Sequence, residues 1–356
     1  MPSTRKHHRH PVPLVGGVAM CIAFCIGILL LPEKPEAWLV LLSCMILLTL
    51  VGLYDDLYSS PPTARFMLQA VAVLLMAVVG GEILNDLGDL LGIGTVKLGW
   101  AALPFTLFGV IGVINAFNMI DGLDGLAGGS ALVATVWLIV LCWISPISRG
   151  CDIEALLVLS AAIAGFLVYN LRHPWRARAS VFMGDAGSTM LGFVLSWYLI
   201  HLSQGEQSVM EPITAVWILA LPLMDTISVM VRRLQTGQSP FAADRQHLHH
   251  LLLGFGFQDG QAVAVVLIAS FVFGGFGVAA HWLGISHHSQ FYAFVVLFLL
   301  YFQITKRIAA INMRDRSTVG QDRRRHRQEE VGGKRKNKPK KWYRILDVNC
   351  MGKELD

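Results

Sequence analysis

The sequence predicts an all-α, polytopic membrane protein with about ten transmembrane helices. The first observation is composition, because hydrophobic residues make up 54% of the 356 residues and charged residues only 15%. The second is a series of apolar runs of about 20 residues, the length that an α-helix needs to cross a bilayer. The third is that Lys and Arg are concentrated in alternate loops. This composition excludes a disordered chain and argues against a soluble globular domain.

The first apolar run extends from Gly16 to Leu31 and follows a basic segment at residues 1–13. A charged segment before an apolar run also fits a secretory signal peptide. However, Pro11 and Pro13 stand at the start of the run, the run is long, and no clean small-x-small cleavage site follows it. We therefore expect a retained span. Nine further spans are expected at residues 37–54, 65–81, 99–117, 128–145, 154–171, 187–202, 212–231, 261–283 and 290–305.

The orientation of the spans follows from the excess of positive charge in cytoplasmic loops of membrane proteins. With the basic N-terminus in the cytoplasm, the loops on the opposite side contain only Lys34, Lys97 and Arg149. Both termini are then cytoplasmic, and every polar motif of the chain lies on the cytoplasmic side. The cytoplasmic loops contain Arg65, Arg172, Arg176, Arg178, Arg232, Arg233 and Arg245, followed by the tail from Lys306.

The domain organisation is a transmembrane domain at residues 1–308 and a basic tail at 309–356. The tail loses hydrophobic periodicity, and much of the net charge of +5 lies there. We expect it to be disordered, and its charge indicates orientation, not nucleic-acid binding. The six cysteines form no C-x-x-C pair and mostly lie in apolar runs, so we interpret them as core residues.

The polar stretch Asn115–Gly129, N-A-F-N-M-I-D-G-L-D-G-L-A-G-G, stands between two apolar runs. Asn115, Asn118, Asp121 and Asp124 recur every three residues, so they share one face wherever the backbone is helical. Carboxylates and amides beside a membrane are costly, which favours a functional site over a polar loop.

Three other polar clusters are expected at the same face. Asp55 and Asp56 close an apolar helix, where a pair of adjacent carboxylates suggests a bound cation, a proton to transfer or a partner charge, although a loop acid pair is the plainer alternative. Asp185 follows Gly184 before a helix, in V-F-M-G-D-A-G-S. It could hold Mg²⁺ on a phosphate, or it could simply cap the helix. Phe182 in the same segment offers a flat face on which a base could stack. The last cluster comprises Arg245, His247, His249 and His250. We expect it to bind phosphate or to transfer protons.

Together the four clusters contain the groups that a membrane phosphoryl-transfer site needs. Carboxylates and an amide would hold Mg²⁺ on a diphosphate, and Arg and His would neutralise charge on the leaving group. A transporter is the alternative from another class, but it would place such groups at span centres instead of at helix ends.

The chain resembles the polyprenyl-phosphate N-acetylhexosamine-1-phosphate transferase family (glycosyltransferase family 4), from about residue 5 to residue 260. Within it, the S-P-F-A-A-D-R-Q-H-L-H-H-L segment favours the branch that starts O-antigen and enterobacterial common antigen synthesis. The family has a further helix before the R-K-H-H-R-H-P segment, so the resemblance implies that the first helix of the family is missing here. The other matching segments are G-L-Y-D-D at Gly52–Asp56, N-A-F-N-M-I-D-G-L-D-G at Asn115–Gly125, F-M-G-D-A-G-S-T at Phe182–Thr189, P-L-M-D at Pro222–Asp225 and R-R-L at Arg232–Leu234.

The resemblance also implies roles for individual residues. Asp185 and Asn118 would contact Mg²⁺, with Mn²⁺ as an alternative, and Asp55 would position or deprotonate a lipid phosphate with support from Asp56. Asp124 would bind uridine, and Asp121 would contact the residues that hold the metal without binding the metal itself. The remaining substrate contacts would come from Asn115, from Phe182 stacking on uracil, and from Arg245, His247, His249 and His250 on sugar and phosphates.

The implied enzyme transfers N-acetylglucosamine 1-phosphate from UDP-N-acetylglucosamine to undecaprenyl phosphate in the bacterial inner membrane. This transfer would be the first membrane step of lipopolysaccharide O-antigen or enterobacterial common antigen synthesis. The expected partners are the two substrates and the lipid bilayer, with no nucleic acid, and homodimer formation is left open. Another UDP-N-acetylhexosamine as donor, and an inactive relative with only a binding role, are the remaining alternatives.

Overall fold

The protein is all-α in the part of the chain that the structure describes. This computed structural model describes residues 12–147, 149–172, 176, 178–239 and 247–336, with side chains described only as far as residue 311. Helices form nearly all of the regular structure, beside an isolated antiparallel bridge between Asp86 and Lys97. The predicted fold class, a polytopic helical membrane protein, is confirmed.

The helices follow the predicted apolar runs closely, usually within four residues at either end. Their bounds are α1 Gly16–Leu30, α2 Trp38–Tyr58, α3 Pro62–Val78, α4 Ala102–Ile120, α5 Leu126–Ile144, α6 Gly150–Asn170, α7 Gly184–His201, α8 Pro212–Ile218, α9 Ala220–Gln235, α10 Leu248–Gly254, α11 Asp259–Trp282 and α12 His287–Lys336.

Six segments of the described chain are long and apolar enough to cross a membrane, and α8 with α9 forms a seventh if the bent pair is one span. The six are α2, α4 with the turn before it, α5, α6, α11 and the first part of α12. Helices α1 and α3 are apolar but shorter. With α7 they would complete the predicted ten spans, so that number stays a prediction.

The structure differs from the prediction at the span 212–231 and at the start of the C-terminal tail. The span expected at 212–231 is broken, because α8 and α9 meet at an angle of 80°. Pro222 explains the break: its ring clashes with the carbonyl four residues earlier, at Ile218, and α8 ends at that residue. The last helix, α12, continues to Lys336, into the segment for which the sequence predicts disorder. For residues 337–356 the disorder stays a prediction.

Helix α7 lies at the centre of the bundle and positions the site. Every residue of α7 except Asp185 is buried, and the helix packs against α1, α2, α4 and α5. The close packing requires glycine: a Cβ on Gly52 of α2 would lie 2.4 Å from the backbone nitrogen of Ala186. At the far end of α7, His201 Nδ1 lies 2.7 Å from Glu82 Oε1 and its Nε2 3.4 Å from Asp152 Oδ1.

The two faces of the bundle carry different residues. Helices α2 and α4 end, and α7 begins, at one face, which we call the motif face. At the opposite face, tryptophans stand at helix ends with large exposed fractions: 92% for Trp100, 79% for Trp143 and 71% for Trp282. Tryptophan at such positions is typical of the boundary between the hydrocarbon core and the headgroups. The protein is a multi-pass membrane protein, and these residues mark one boundary of its membrane segment.

Candidate active site

A guanidinium bridges two carboxylates at the motif face. Arg65, near the start of α3, donates from Nη1 to Asp55 Oδ2 at 2.7 Å and to Asp185 Oδ2 at 3.0 Å. The other oxygen of Asp55 accepts the backbone N–H and the hydroxyl of Ser60, each at 2.6 Å. From the sequence, Arg65 is predicted only to lie in a cytoplasmic loop, and its place in the site is not predicted. An arginine that opens an apolar helix directly after an acid pair is the signal that could have found it.

Asp56 holds the start of α7. Its Oδ1 accepts the backbone N–H of Asp185 at 2.9 Å, and its Oδ2 accepts that of Ala186 at 3.3 Å. These N–H groups have no partner within a helix, and a carboxylate there also meets the positive end of the helix dipole. Gly184 leaves room for this contact, because a Cβ on it would lie 2.4 Å from Asp56 Oδ2, and its φ of +71° favours glycine. Asp56 therefore positions Asp185.

Two amides of α4 face the same region. Asn118 Nδ2 donates to Asp185 Oδ1 at 2.9 Å and to Ser188 Oγ at 3.1 Å. Asn115, one turn earlier, donates to Gln69 Oε1 at 3.0 Å. A cavity beside these groups has polar and apolar walls and is lined by Leu48, Val51, Gly52, Arg65, Gln69, Asn115, Asn118, Asp185 and Thr189.

The D-G-L-D-G segment is a turn, which corrects one expectation. Asn115 and Asn118 lie on α4, but the helix ends at Ile120, so Asp121 and Asp124 do not continue its polar face. The chain reverses through Gly125, whose φ of +85° is accessible to glycine. The buried Asn170 fixes this turn by accepting the Gly125 N–H at 2.6 Å and donating to the Val181 carbonyl at 2.8 Å. This amide is a second residue that sequence analysis missed.

The two carboxylates of the turn have different surroundings. Asp124 Oδ2 accepts from Arg172 Nε at 2.6 Å, and Arg172 Nη1 lies 2.7 Å from Asp259 Oδ2. Asp121 is reached by solvent but is crowded by protein. Desolvation there, together with the negative charges of Asp185, Asp56 and Asp124, raises the pKa of Asp121 to about 7. We call these five carboxylates, Asp55, Asp56, Asp121, Asp124 and Asp185, the acidic cleft.

The histidine segment, which we define as His247–His250, packs onto the D-G-L-D-G turn at Asp121–Gly125. His247 and His249 are buried, with exposed fractions of 4% and 2%, and their rings are nearly parallel. A Cβ on Gly122 would lie 2.6 Å from His249 Nε2, an atom that has no hydrogen-bond partner in the described part of the chain. Burial, followed by the charge of His250, lowers the pKa of His249 to about 4. His249 is thus neutral at neutral pH in this arrangement, and its contact with sugar and phosphates stays a prediction.

Three predicted substrate contacts remain: Phe182, His250 and Arg245. Phe182 is half-buried, and its backbone joins the start of the chain to the F-M-G-D segment: its carbonyl accepts the N–H of Gly16 at 3.0 Å and its N–H donates to Pro13. His250 lies beside His249 with a ring-centroid distance of 4.2 Å. Arg245 lies outside the described residues.

The donor set of the acidic cleft fits a hard cation. The cleft offers carboxylate oxygens and the neighbouring Asn118 offers an amide oxygen, and Mg²⁺ prefers oxygen ligands of both kinds. Among the described residues, no three His, Cys, Asp or Glu side chains lie close enough together to form a complete metal site. Mg²⁺ usually takes one or two carboxylates from a protein and completes its coordination with water and substrate phosphates. Its binding at the acidic cleft stays a prediction.

Comparison with known proteins gives a consistent result. A sequence model of the family described as glycosyl transferase family 4 matches residues 38–203. A protein of Salmonella typhimurium is 38% identical over 304 residues, which cover 85% of this chain and 80% of that protein. A protein of Escherichia coli is 36% identical with the same coverage, and one of Haemophilus influenzae is 36% identical over 84% of each chain. All three are named undecaprenyl-phosphate alpha-N-acetylglucosaminyl 1-phosphate transferase.

Proposed function

This chain belongs to glycosyl transferase family 4, and we propose that it transfers N-acetylglucosamine 1-phosphate from UDP-N-acetylglucosamine to undecaprenyl phosphate. An oxygen of the acceptor phosphate forms a bond to the β-phosphorus of the donor. The bond from that phosphorus to the bridging oxygen breaks, and UMP leaves. The product is undecaprenyl-diphosphate-N-acetylglucosamine, which would serve as the first lipid-linked intermediate of lipopolysaccharide O-antigen or common antigen synthesis.

The observation that carries the proposal is the position of Arg65 between Asp55 and Asp185. A lipid phosphate cannot approach two carboxylates closely unless a cation lies between them, because like charges repel strongly where water is scarce. Arg65 supplies that cation, and guanidinium binds phosphate oxygens with two parallel hydrogen bonds. Asp55, which binds both Arg65 and Ser60, would then hold the arginine in place instead of touching the phosphate itself.

The cavity beside Arg65 suits a lipid phosphate in particular. Its polar wall includes Arg65, Gln69 and Asn118, and its apolar wall includes Leu48 and Val51 of the membrane helix α2. A charged headgroup on a hydrocarbon chain needs both kinds of wall. The uridine and sugar of the donor would lie toward the D-G-L-D-G turn, where Asp124 binds Arg172 and Gly122 lies beside His249.

Mg²⁺ would be held by Asp185 and Asn118, and when bound it would neutralise negative charge on the donor diphosphate. Other residues of the chain already fix the positions of the side chains that would hold the ion. Asp56 fixes the backbone of Asp185, and Asn118 fixes the direction of its carboxylate. The positive-inside distribution of Lys and Arg supports a cytoplasmic motif face, on the side of a soluble nucleotide sugar. The membrane would be the bacterial inner membrane.

The test is transfer by the purified, detergent-solubilised protein with labelled undecaprenyl phosphate, Mg²⁺ and a panel of UDP-N-acetylhexosamines. We expect a lipid-linked product from UDP-N-acetylglucosamine and far less from UDP-N-acetylgalactosamine. Arg65→Met should abolish the product, while Arg65→Lys, which keeps the charge but not the fork of donors, should keep part of it. A clear preference for another donor would overturn the donor assignment, and full activity of Arg65→Met would overturn the acceptor site.

A further inference from the structure

A sixth carboxylate, that of Asp225, lies outside the acidic cleft and connects the histidine segment to the membrane bundle. Asp225 lies on α9 with an exposed fraction of 3%. Its Oδ2 lies 2.8 Å from His247 Nδ1, and its Oδ1 accepts the backbone N–H of Leu248 at 2.9 Å and the hydroxyl of Tyr301 at 2.9 Å. One side chain of α9 thus joins the start of α10 to α12.

Burial of a carboxylate is costly unless hydrogen bonds and charges compensate for it. Asp225 has three donors, and each serves a different purpose. Leu248 N–H is one of the amides that α10 leaves without a helical partner at its start. Tyr301 fixes the carboxylate from the side of α12. The third donor, His247, carries the functional consequence.

A carboxylate beside Nδ1 selects one tautomer of His247. Since a carboxylate only accepts hydrogen bonds, the proton of a neutral His247 must lie on Nδ1, which leaves Nε2 as an acceptor. His247 and His249 have ring centroids 6.0 Å apart and an angle of 8° between their planes. His249 in turn directs Nε2 at Gly122 of the D-G-L-D-G turn. Neighbouring side chains therefore extend from Asp225, through His247 and His249, to Gly122 of the D-G-L-D-G turn.

We propose that Asp225 is a positioning residue for the transfer reaction: it fixes the tautomer of His247 and holds the histidine segment against the D-G-L-D-G turn. The inference rests on the proposed function, because it assigns the histidine segment to the donor side of that site. Asp225 is too deeply buried to touch either substrate, so it acts through His247. Loss of Asp225 should weaken donor binding and leave the acceptor site around Arg65 intact.

The first test needs no substrate. In protein labelled with ¹⁵N-histidine, the ring nitrogens of His247, assigned by comparison with His247→Gln, should report the Nδ1-protonated tautomer. Asp225→Ala should convert His247 to a mixture dominated by the Nε2-protonated form. Tyr301→Phe is the matched control, because it removes one hydrogen bond to the same carboxylate but keeps the contact with His247, and it should keep the tautomer. Persistence of the original tautomer in Asp225→Ala would overturn the inference.

The second test is a double-mutant cycle on the KM for UDP-N-acetylglucosamine, with saturating lipid acceptor. Asp225→Ala should raise this KM at least tenfold in the wild-type background and less than threefold in a His247→Gln background, while the KM for lipid stays within twofold. Asp225→Asn, which keeps an acceptor oxygen, should recover part of the loss and provides the comparison if the alanine variant is unstable. Equal losses in both backgrounds would overturn the inference.

The two proposals fail in different ways. A wild-type protein that transfers no sugar phosphate contradicts the proposed function, whereas the tautomer of His247 can still be read from the spectrum. An active enzyme in which Asp225→Ala changes neither the tautomer nor the donor KM contradicts only the role of Asp225.

Discussion

Removal of Asp56 should destabilise the protein as well as inactivate it, which separates this residue from its neighbour Asp55. Asp56 accepts two backbone N–H groups at the start of α7, at 2.9 and 3.3 Å. Ala186, one of the two donors, is buried, so water cannot replace the lost acceptor there. Asp55 instead binds Arg65 and Ser60 near the surface of the cleft.

The magnitude follows from the two hydrogen bonds. A buried donor left without an acceptor costs about 1–3 kcal/mol. A carboxylate at a helix start contributes a further 0.3–1 kcal/mol, roughly, through the dipole. Because the Asp185 N–H is partly exposed and the second bond is long, we take the lower part of the range. Asp56→Ala should therefore lower the free energy of unfolding by about 2–4 kcal/mol, and Asp56→Asn, which keeps one acceptor oxygen, by about half as much.

The assay is thermal unfolding in detergent, with Asp55→Ala as the matched control. Asp56→Ala should unfold several degrees below the wild type, and Asp55→Ala should unfold close to it, although both lose activity. Gly184→Ala should resemble Asp56→Ala, because its new methyl group would displace the Asp56 carboxylate and its φ is positive. If Asp56→Ala unfolds at the wild-type temperature, the anchoring of α7 by this carboxylate is wrong.

Four shorter predictions concern the rest of the site. Asp185→Asn should keep the fold and abolish product formation with Mg²⁺, because an amide binds the ion too weakly; turnover near the wild-type rate would exclude Asp185 as a ligand. In metal-free buffer, the stability advantage of Asp121→Asn over the wild type should grow as the pH rises from about 4 to about 7 and then stay constant. The reason is that the folded-state pKa of Asp121 is about 7, so ionisation of this group disfavours the folded state. An advantage that does not vary with pH would show that Asp121 titrates normally. Gly122→Ala should weaken donor binding by displacing His249, whereas Gly112→Ala, with open space around its Cβ, should not, and donor titrations that rank the two alike would contradict this contact. A cysteine at the exposed Gln238, in a background without reactive native cysteines, should react with impermeant reagents only after lysis, and labelling in intact cells would reverse the orientation.

The helices could be predicted from the sequence because apolar length is a local property. Every predicted apolar run is helical at the expected place, although the run at 212–231 forms two helices, α8 and α9. The break between α8 and α9 also had a local signal, since Pro222 stands within the run and α8 ends four residues before it. The predicted span at residues 212–231 took no account of that proline.

The candidate site could be predicted only in part. The acid clusters were expected at one face because each follows or precedes a span on the same side, and the contacts among Asp55, Asp56 and Asp185 bring two of the clusters together. The partner of each group depends on packing between helices that are distant in the chain. Arg65 and Asp185 are separated by 120 residues, and nothing in either local sequence identifies the other.

The histidines illustrate the same limit for electrostatics. A basic tract of three histidines beside an arginine suggests a positive surface for phosphate. In the structure His247 and His249 are buried, and burial lowers the pKa of His249 to about 4. The sign of the charge on a histidine depends on its solvation and neighbours, which the sequence does not contain.

The most direct measurement of the central claim follows the β-phosphorus of the donor. UDP-N-acetylglucosamine labelled with ³²P at the β-position is incubated with the purified protein, undecaprenyl phosphate and Mg²⁺, and lipid and nucleotide products are separated. Transfer of the sugar phosphate predicts that the label enters the lipid fraction and that the released nucleotide is unlabelled UMP. Release of labelled UDP, with sugar but no label on the lipid, would contradict the account, because the bond broken would then be the one between the sugar and the β-phosphate.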